Sequence, residues 1–161
     1  MNDADIHQVA EGLVDSVPGL VIGTDAGQGI ALGHLPFTGS LEDGLVVVSS
    51  RLAAHYHALA ADRPVACLLL EDAADCRQIY ARKRLLLHCR PERLNDPAQR
   101  AGAFAALEAR FGGILNLLEG LADFQAFRLH ALSGELVLGF GKAYALRGTG
   151  LRTVVQQTGS G

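Results

Sequence analysis

Tryptophan is absent from the 161-residue sequence, and aromatic residues make up only 6% of it. Proteins that bind single-stranded nucleic acid stack its bases on aromatic side chains, so this scarcity argues against a nucleic-acid partner. No apolar run reaches the ~20 residues that a transmembrane helix needs. The acidic start of the chain, with Asp3 and Asp5, does not resemble a signal peptide. We therefore expect a cytoplasmic protein without a membrane partner.

Cysteine is also scarce, and a dinucleotide-binding motif is missing. Cys67, Cys76 and Cys89 are odd in number and lack C-x-x-C spacing, which argues against a zinc site and for reduced thiols. No G-x-G-x-x-G follows the first predicted strand, so the Rossmann fingerprint is excluded. A chain that is 49% hydrophobic with a formal net charge of −3 is expected to fold. Its length predicts one domain over residues 1–161.

The most informative stretch that is present covers residues 44–70, GLVVVSSRLAAHYHALAADRPVACLLL. A β-branched run predicts a buried strand that stops at Ser49, Ser50 and Arg51. Two hydroxyls and a guanidinium at a strand end can bind a phosphate or a carboxylate. Ser50 is equally suited to cap the helix that follows. Both interpretations stay open.

The spacing after Arg51 predicts a short helix that ends at Pro64 and leads into another strand over residues 65–70. Its core-facing stripe is predicted to contain Leu52, Tyr56, Leu59 and Ala60. His55 and His57 lie on opposite flanks of that stripe. Because residues two apart do not share a helix face, they form a poor chelate for one metal ion, and no metal site is predicted.

Positive charge is concentrated in one short segment. Six of the 14 basic residues lie there, against the single acid Glu92: Arg77, Arg82, Lys83, Arg84, Arg90 and Arg93. A solvated surface explains such a run, and so does a site for an anionic ligand.

The remaining segments predict a mostly antiparallel barrel. A lead helix is expected over residues 1–16, a β-hairpin over 18–37, and helices over 96–120 with a break at Gly112-Gly113. Two last strands, 124–130 and 135–146, are expected to meet at a turn at Ser133-Gly134. One face of the final strand carries only small residues, including Gly139 and Gly141, so a packed helix or a flat ligand can approach it. Residues 147–161 are predicted to be a flexible tail.

Four stretches, taken in order, resemble the haem-utilisation proteins of the HutZ/HugZ type. They are VVSSRLAAHYHAL (47–59), LEDAADCRQIYARKRL (70–85), RFGGILNLLEGLADFQAFRL (110–129) and GELVLGFGKAYAL (134–146). This type is a branch of the pyridoxamine 5'-phosphate oxidase-like, FMN-binding split barrels. The resemblance implies a mainly β fold with peripheral helices, namely a six-stranded split β-barrel. It also implies a two-fold homodimer whose ligand site takes residues from both chains.

The resemblance implies FMN or haem as the cofactor. For FMN, the phosphate positions fall on Ser49, Ser50 and Arg51, supplemented by Lys83 or Arg84. For haem, the basic cluster at residues 82–84 would pair with the propionates, and the glycines at 139 and 141 would let a porphyrin lie flat.

The haem-degrading members use a histidine of the C-terminal tail as axial iron ligand, with an aspartate hydrogen-bonded to it. The aspartate matches Asp123, but no His, Cys, Met or Tyr follows Leu146. His55 or His57 is the nearest alternative ligand. We expect bound hemin to be held loosely and degraded slowly or not at all.

Three hypotheses follow from these residues. The first is a redox protein with FMN at the dimer interface, and the second is a haem-binding or haem-degrading protein. The third is a cofactor-less dimer that keeps the fold and acts in binding. No catalytic residue stands out, so the choice between an FMN-dependent oxidoreductase, a haem oxygenase-like enzyme and a non-enzyme is left open.

Overall fold

A computed structural model describes residues 1–159 of the chain. These residues form four α-helices and nine strands. The helices are α1 (Asp3–Ser16), α2 (Tyr56–Ala60), α3 (Pro97–Phe111) and α4 (Ile114–Glu119). The strands are β1 (Gly19–Asp25), β2 (Ile30–Pro36), β3 (Thr38–Ser40), β4 (Gly44–Ser50), β5 (Val65–Leu70), β6 (Arg84–Arg93), β7 (Phe124–Gly139), β8 (Lys142–Arg147) and β9 (Thr153–Gln157). No helix in this part of the chain is both long and apolar enough to cross a membrane.

Six strands form the barrel, in the order β2-β1-β5-β6-β7-β4, and all of their pairings are antiparallel. β2 also lies against β4, which brings the two ends of this order together. β3 extends β4, while β8 and β9 continue from the far half of β7. Alternate side chains point into one apolar core that includes Phe37, Leu45, Leu87 and Phe127. The prediction of a mainly β split barrel is confirmed.

β7 is a single long strand, so the turn predicted at Ser133-Gly134 is wrong. Gly134 is buried within the strand, where an added Cβ would lie 3.1 Å from Leu87 Cδ2. This glycine therefore serves close packing and does not form a turn. The chain reverses seven residues later, where Gly139 (φ +154°) and Gly141 (φ +68°) adopt backbone angles that favour glycine. Gly139 ends β7 and Gly141 lies in the β7–β8 turn, so the two glycines do not lie within one continuous strand as predicted.

α2 is shorter than the predicted helix because the chain first makes turns after Arg51. The Ser50 hydroxyl accepts a hydrogen bond from the Leu52 amide at 3.1 Å, which holds the first of these turns. Leu52 is consequently 89% exposed, and Ala60 is exposed as well. The predicted core stripe is wrong at these two positions. It is confirmed at Tyr56 and Leu59, which are buried.

α3 and α4 cover the outer face of β4 and the first half of β7. Asp96 caps α3 by accepting hydrogen bonds from the amides of Ala98 and Gln99. The predicted break at Gly112-Gly113 separates the two helices, as expected. A second apolar cluster joins them to the sheet through Val46, Leu94, Ala103, Phe104, Leu107, Leu115 and Ala126. This helical layer forms one wall of the cavity described below.

The segment predicted to be a flexible tail is ordered over most of its length. Leu151 is completely buried, and β9 pairs with β8 from Thr153 to Gln157. His7 on α1 contacts the same segment, with its Nε2 2.7 Å from the Gly150 carbonyl oxygen. The prediction of flexibility is therefore wrong for residues 147–157. Its last two residues, 160 and 161, lie outside the described part of the chain.

Candidate functional site

A cavity of about 430 Å³ lies between the α3–α4 layer, the end of β4 and the end of β2. Three of its lining residues carry polar side chains, namely His34, Ser50 and His55. Its other lining residues are apolar: Leu35, Pro36, Val48, Ala53, Leu107, Phe111, Ile114, Leu115, Leu118 and Phe124. An apolar hollow with a few convergent polar groups is typical of a small-molecule site.

Ser49 and His55 form a buried polar pair next to the cavity, and His55 is the member of the pair that lines it. The Ser49 hydroxyl lies 3.0 Å from His55 Nε2, and His55 is only 5% exposed. The other ring nitrogen faces Gly33 of β2, where an added Cβ would lie 2.2 Å from His55 Nδ1. Burial lowers the pKa of His55, which favours a neutral imidazole. Because both nitrogens are occupied or covered, this arrangement does not offer His55 to a metal.

Ser50 and Asp123 connect the end of β4 to the start of β7. The Ser50 hydroxyl donates to Asp123 Oδ2 at 3.0 Å, and the Arg51 amide donates to the Asp123 carbonyl oxygen at 2.8 Å. The Arg51 side chain is exposed, and no hydrogen bond or ion pair to it is found within residues 1–159. The structure thus brings together five of the predicted site residues: Ser49, Ser50, Arg51, His55 and Asp123.

The other predicted residues lie at the opposite end of β7. Ser50 pairs with Phe124, whereas Arg84 pairs with Val137, 13 residues further along the strand. At about 3.3 Å per residue, this separation is on the order of 40 Å along the strand. Gly139 belongs to the same end, since its Cβ position lies 3.9 Å from Ala81 Cβ. Residues 82–84, Gly139 and Gly141 therefore do not meet the cavity within one chain.

The basic cluster makes local contacts at that end. Arg82 Nε donates to the Glu71 carbonyl oxygen at 2.7 Å, and the Lys83 amide donates to Glu71 Oε1 at 2.7 Å. Arg84 donates to the carbonyl oxygen of Arg82 at 3.0 Å. Arg82 and Lys83 also line a separate hollow of about 730 Å³ beside α1. A site that combines this cluster with Ser50 requires two chains.

Sequence reasoning missed two parts of the cavity. His34 follows no recognisable motif, and its position at the rim depends on how β2 closes against β4. The apolar spacing of α3 did predict a helix with one apolar face. That spacing is the same whether the face packs against a filled core or lines a cavity. Gly33 is the one clue that could have been used, because a glycine within a strand often marks a close approach.

Comparison with known proteins identifies relatives of this chain, although no family model matches it. Heme oxygenase HutZ of Vibrio cholerae is 33% identical over 119 residues, which are 73% of this chain and 67% of HutZ. A crystal structure of HutZ, described as the heme storage protein of that organism, has a TM-score of 0.68 and 26% identity. That match covers 78% of this chain and 89% of the solved one.

Two further structures are similar in fold. ChuZ of Campylobacter jejuni has a TM-score of 0.85 at 19% identity; the match covers 98% of this chain and only 64% of ChuZ. A protein of the pyridoxinephosphate oxidase family from Clostridium acetobutylicum, related to general stress protein 26, has a TM-score of 0.68 at 14% identity. That match covers 91% of this chain and 96% of the solved one. The sequence relationship to HutZ shows that this chain belongs to the HutZ-type haem-utilisation family, and it shares its fold with the pyridoxinephosphate oxidase family protein.

Proposed function

We propose that the protein binds haem in the cavity between the α3–α4 layer and the barrel. The observation that carries this proposal is the chemistry of the cavity, whose walls are apolar apart from His34, Ser50 and His55. Apolar walls suit the face of a porphyrin, and the exposed Arg51 guanidinium next to Ser50 suits a propionate. Bound haem would supply the iron redox chemistry, while the chain supplies the hollow and its charge.

FMN is the alternative cofactor, and the hydrogen bonds at the end of β4 count against it. Its phosphate was predicted to bind Ser49, Ser50 and Arg51. The Ser49 hydroxyl is buried against His55, and the Ser50 hydroxyl already contacts Asp123 and the Leu52 amide. Of these three residues, only Arg51 is left to hold a phosphate without breaking these contacts, so Lys83 or Arg84 of a partner chain would have to supply the rest. A flavin-dependent oxidoreductase and a cofactor-less binding protein stay as competing hypotheses.

A homodimer is part of the proposal, since one face of the barrel is apolar and uncovered. Val21 of β1 lies opposite His34 of β2, and Gly23 lies opposite Leu32, so these four side-chain positions share the outer face. Leu32 is 70% exposed and Ile30, on the same face, is 78% exposed. An exposed apolar face of this kind is typical of an interface. Because His34 also lines the cavity, a partner on this face would reach the site.

The cytoplasm is retained as the proposed location. All three cysteines are free, and Cys67 and Cys89 are buried in the barrel. A hydrogen bond with Cys89, together with burial, raises the pKa of the Cys67 thiol. Protonated, buried thiols are compatible with a reducing compartment.

Titration of the purified protein with hemin and, separately, with FMN tests the proposed ligand. We expect hemin to give a Soret band near about 400 nm and FMN to leave its own spectrum unchanged. Ala53→Phe would place a ring in the cavity and should weaken hemin binding by roughly tenfold or more. Ala105→Phe, on the exposed side of α3, is the matched control and should bind as the parent does.

The outcomes separate the three hypotheses. A folded Ala53→Phe variant that binds hemin like the parent would show that the cavity is not the site. Binding of FMN without hemin would favour the flavin hypothesis. If neither hemin nor FMN binds the parent, the hypothesis of a cofactor-less binding protein is favoured.

A further inference from the structure

We propose that His34 ligates the iron of the haem, an inference that rests on the proposed haem binding. An iron porphyrin is held by a side chain with a free donor atom, most often a histidine nitrogen. Within residues 1–159, the side chains that line the cavity include no Cys, Met or Tyr. The Ser50 hydroxyl is already bonded to Asp123. The choice therefore falls among the histidines.

Four of the six histidines are excluded because they do not line the cavity, and their contacts lie elsewhere. Nε2 of His7 is 2.7 Å from the Gly150 carbonyl oxygen, and Nε2 of His130 is 3.3 Å from a Glu92 carboxylate oxygen. His88 lines a different hollow, beside Thr24 and Pro64 of the β1–β5 region. His57 is exposed on α2 and lies edge-on to Tyr56, away from the cavity lining.

His55 lines the cavity but does not have a nitrogen to offer. Its Nε2 is held by the buried Ser49 hydroxyl at 3.0 Å, and its Nδ1 is packed against Gly33. Freeing Nε2 would leave the buried Ser49 hydroxyl without this partner, which costs about 1–3 kcal/mol, while Nδ1 lies against the backbone of Gly33. This excludes both histidines that the sequence suggested as ligands, His55 and His57.

His34 lies at the rim of the cavity with an exposed side chain. Its ring rests across Gly19 of β1, where an added Cβ would lie 2.3 Å from Nε2 and 2.5 Å from Cε1. No hydrogen bond to this ring is found in the described part of the chain. His34 lies on the outer face that the proposed dimer would cover. Within a single chain, its ring can change rotamer, leave Gly19 and turn over the cavity.

The helical layer contributes Phe111, Ile114 and Leu118 to the cavity lining, and these side chains carry no donor atom. Among the lining residues of this chain, His34 would thus be the one that holds the iron of a bound haem. Gly19 has no side chain, so the His34 ring can pack against its backbone when no ligand is bound. A larger residue at position 19 would fill the space that the ring occupies.

Hemin titration of His34→Ala, followed by absorption and by resonance Raman of the ferrous complex, tests this assignment. We expect the parent to show an iron–histidine stretch, and the variant to lose it and to bind hemin roughly tenfold more weakly. Added imidazole should restore a histidine-type spectrum to His34→Ala. His88→Ala, another exposed strand histidine, is the matched control and should keep the parent spectrum.

Gly19→Ala gives a second, independent measurement. Its methyl group would displace the imidazole from its resting place and leave the ligand itself intact, so histidine ligation should persist. A His34→Ala variant that keeps the iron–histidine stretch would overturn the assignment and leave haem binding standing. If circular dichroism shows that His34→Ala is unfolded, His34→Gln replaces it under the same criteria. A parent that binds no hemin would overturn the proposed function as well.

Discussion

At the scale of single residues, the site depends on the contact between His55 and Gly33. The missing side chain of Gly33 leaves room for the imidazole that Ser49 holds from the other side. Any side chain at position 33 would displace this ring from its hydrogen bond. The Ser49–His55 pair is thus specified by a glycine on a different strand.

Gly33→Ala should destabilise the protein by about 1–3 kcal/mol, because its methyl group would overlap His55 Nδ1 and force a repacking of the pair. Urea unfolding measures the change. Gly102→Ala is the matched control, since position 102 is exposed in α3 and an added Cβ has nothing within 4 Å. That control should stabilise by about 0.5–1 kcal/mol. Equal effects of the two variants would contradict the packing described here.

Titration of His55 should make the protein less stable in mild acid. Burial lowers its pKa in the folded state below the ordinary value of 6.5, so the unfolded chain takes up the proton first. The free energy of unfolding should therefore fall as the pH drops below about 6.5, and the loss should continue until the folded-state pKa is reached. His55→Gln removes this contribution and should flatten that part of the curve. His57→Gln, the exposed neighbour on α2, should retain the slope of the parent.

At the scale of secondary-structure elements, β7 organises the molecule. Its first half pairs with β4 beside the cavity, and its second half pairs with β8 beside the basic cluster. β6 runs along the other edge and pairs with both halves. The strand therefore separates the two groups of predicted site residues by its own length. The β7–β8 turn at its end places Gly139 and Gly141 at the same end of the strand as residues 82–84.

Gly141→Ala distinguishes this turn from a ligand-binding face. A left-handed backbone at φ +68° costs a non-glycine residue roughly 1–2 kcal/mol, so we expect lower stability in urea. Hemin affinity should stay within about twofold of the parent, a change below half a kcal/mol. Gly12→Ala, inside α1, is the control and should not destabilise. An unchanged stability together with weakened hemin binding would instead support the flat face.

At the scale of the whole molecule, the apolar outer face predicts a two-fold dimer. Light scattering should give twice the 17.0 kDa mass of one chain at micromolar concentration. Leu32→Glu places a charge in the centre of that face and should shift the protein towards the monomer. Leu117→Glu, at an exposed apolar position on α4, is the control and should remain dimeric. If the parent protein is only monomeric, both the proposed dimer and the proposed site shared between two chains are contradicted.

Arg84→Ala tests whether the partner completes the site. Arg84 lies at the far end of β7 from the cavity, so within one chain its loss should not affect hemin. In a dimer whose partner supplies this cluster, loss of a charged hydrogen-bond donor should weaken binding by about 1.5–3 kcal/mol. The comparison is made in the parent background and in Leu32→Glu. A loss of the same size in both backgrounds would contradict a contribution across the interface.

Local pattern was enough to predict much of the fold. Strand β5 lies over the predicted residues because a short apolar run that begins directly after Pro64 fits a buried strand. The helix break at Gly112-Gly113 was predictable for a similar reason, since two glycines interrupt helical backbone. The order of the four motif-like stretches along the chain also indicated the HutZ/HugZ type. These features depend on residues that are neighbours in the chain.

Only the tertiary structure decided which of the predicted residues form one site. Ser50 and Asp123 meet across 73 positions of sequence, and their contact exists because β4 and β7 pair in one register. The same register carries residues 82–84 to the other end of β7. His34 reaches the cavity because β2 closes against β4. Composition and periodicity do not encode these distances, since strand pairing and barrel closure set them through contacts between segments far apart in the chain.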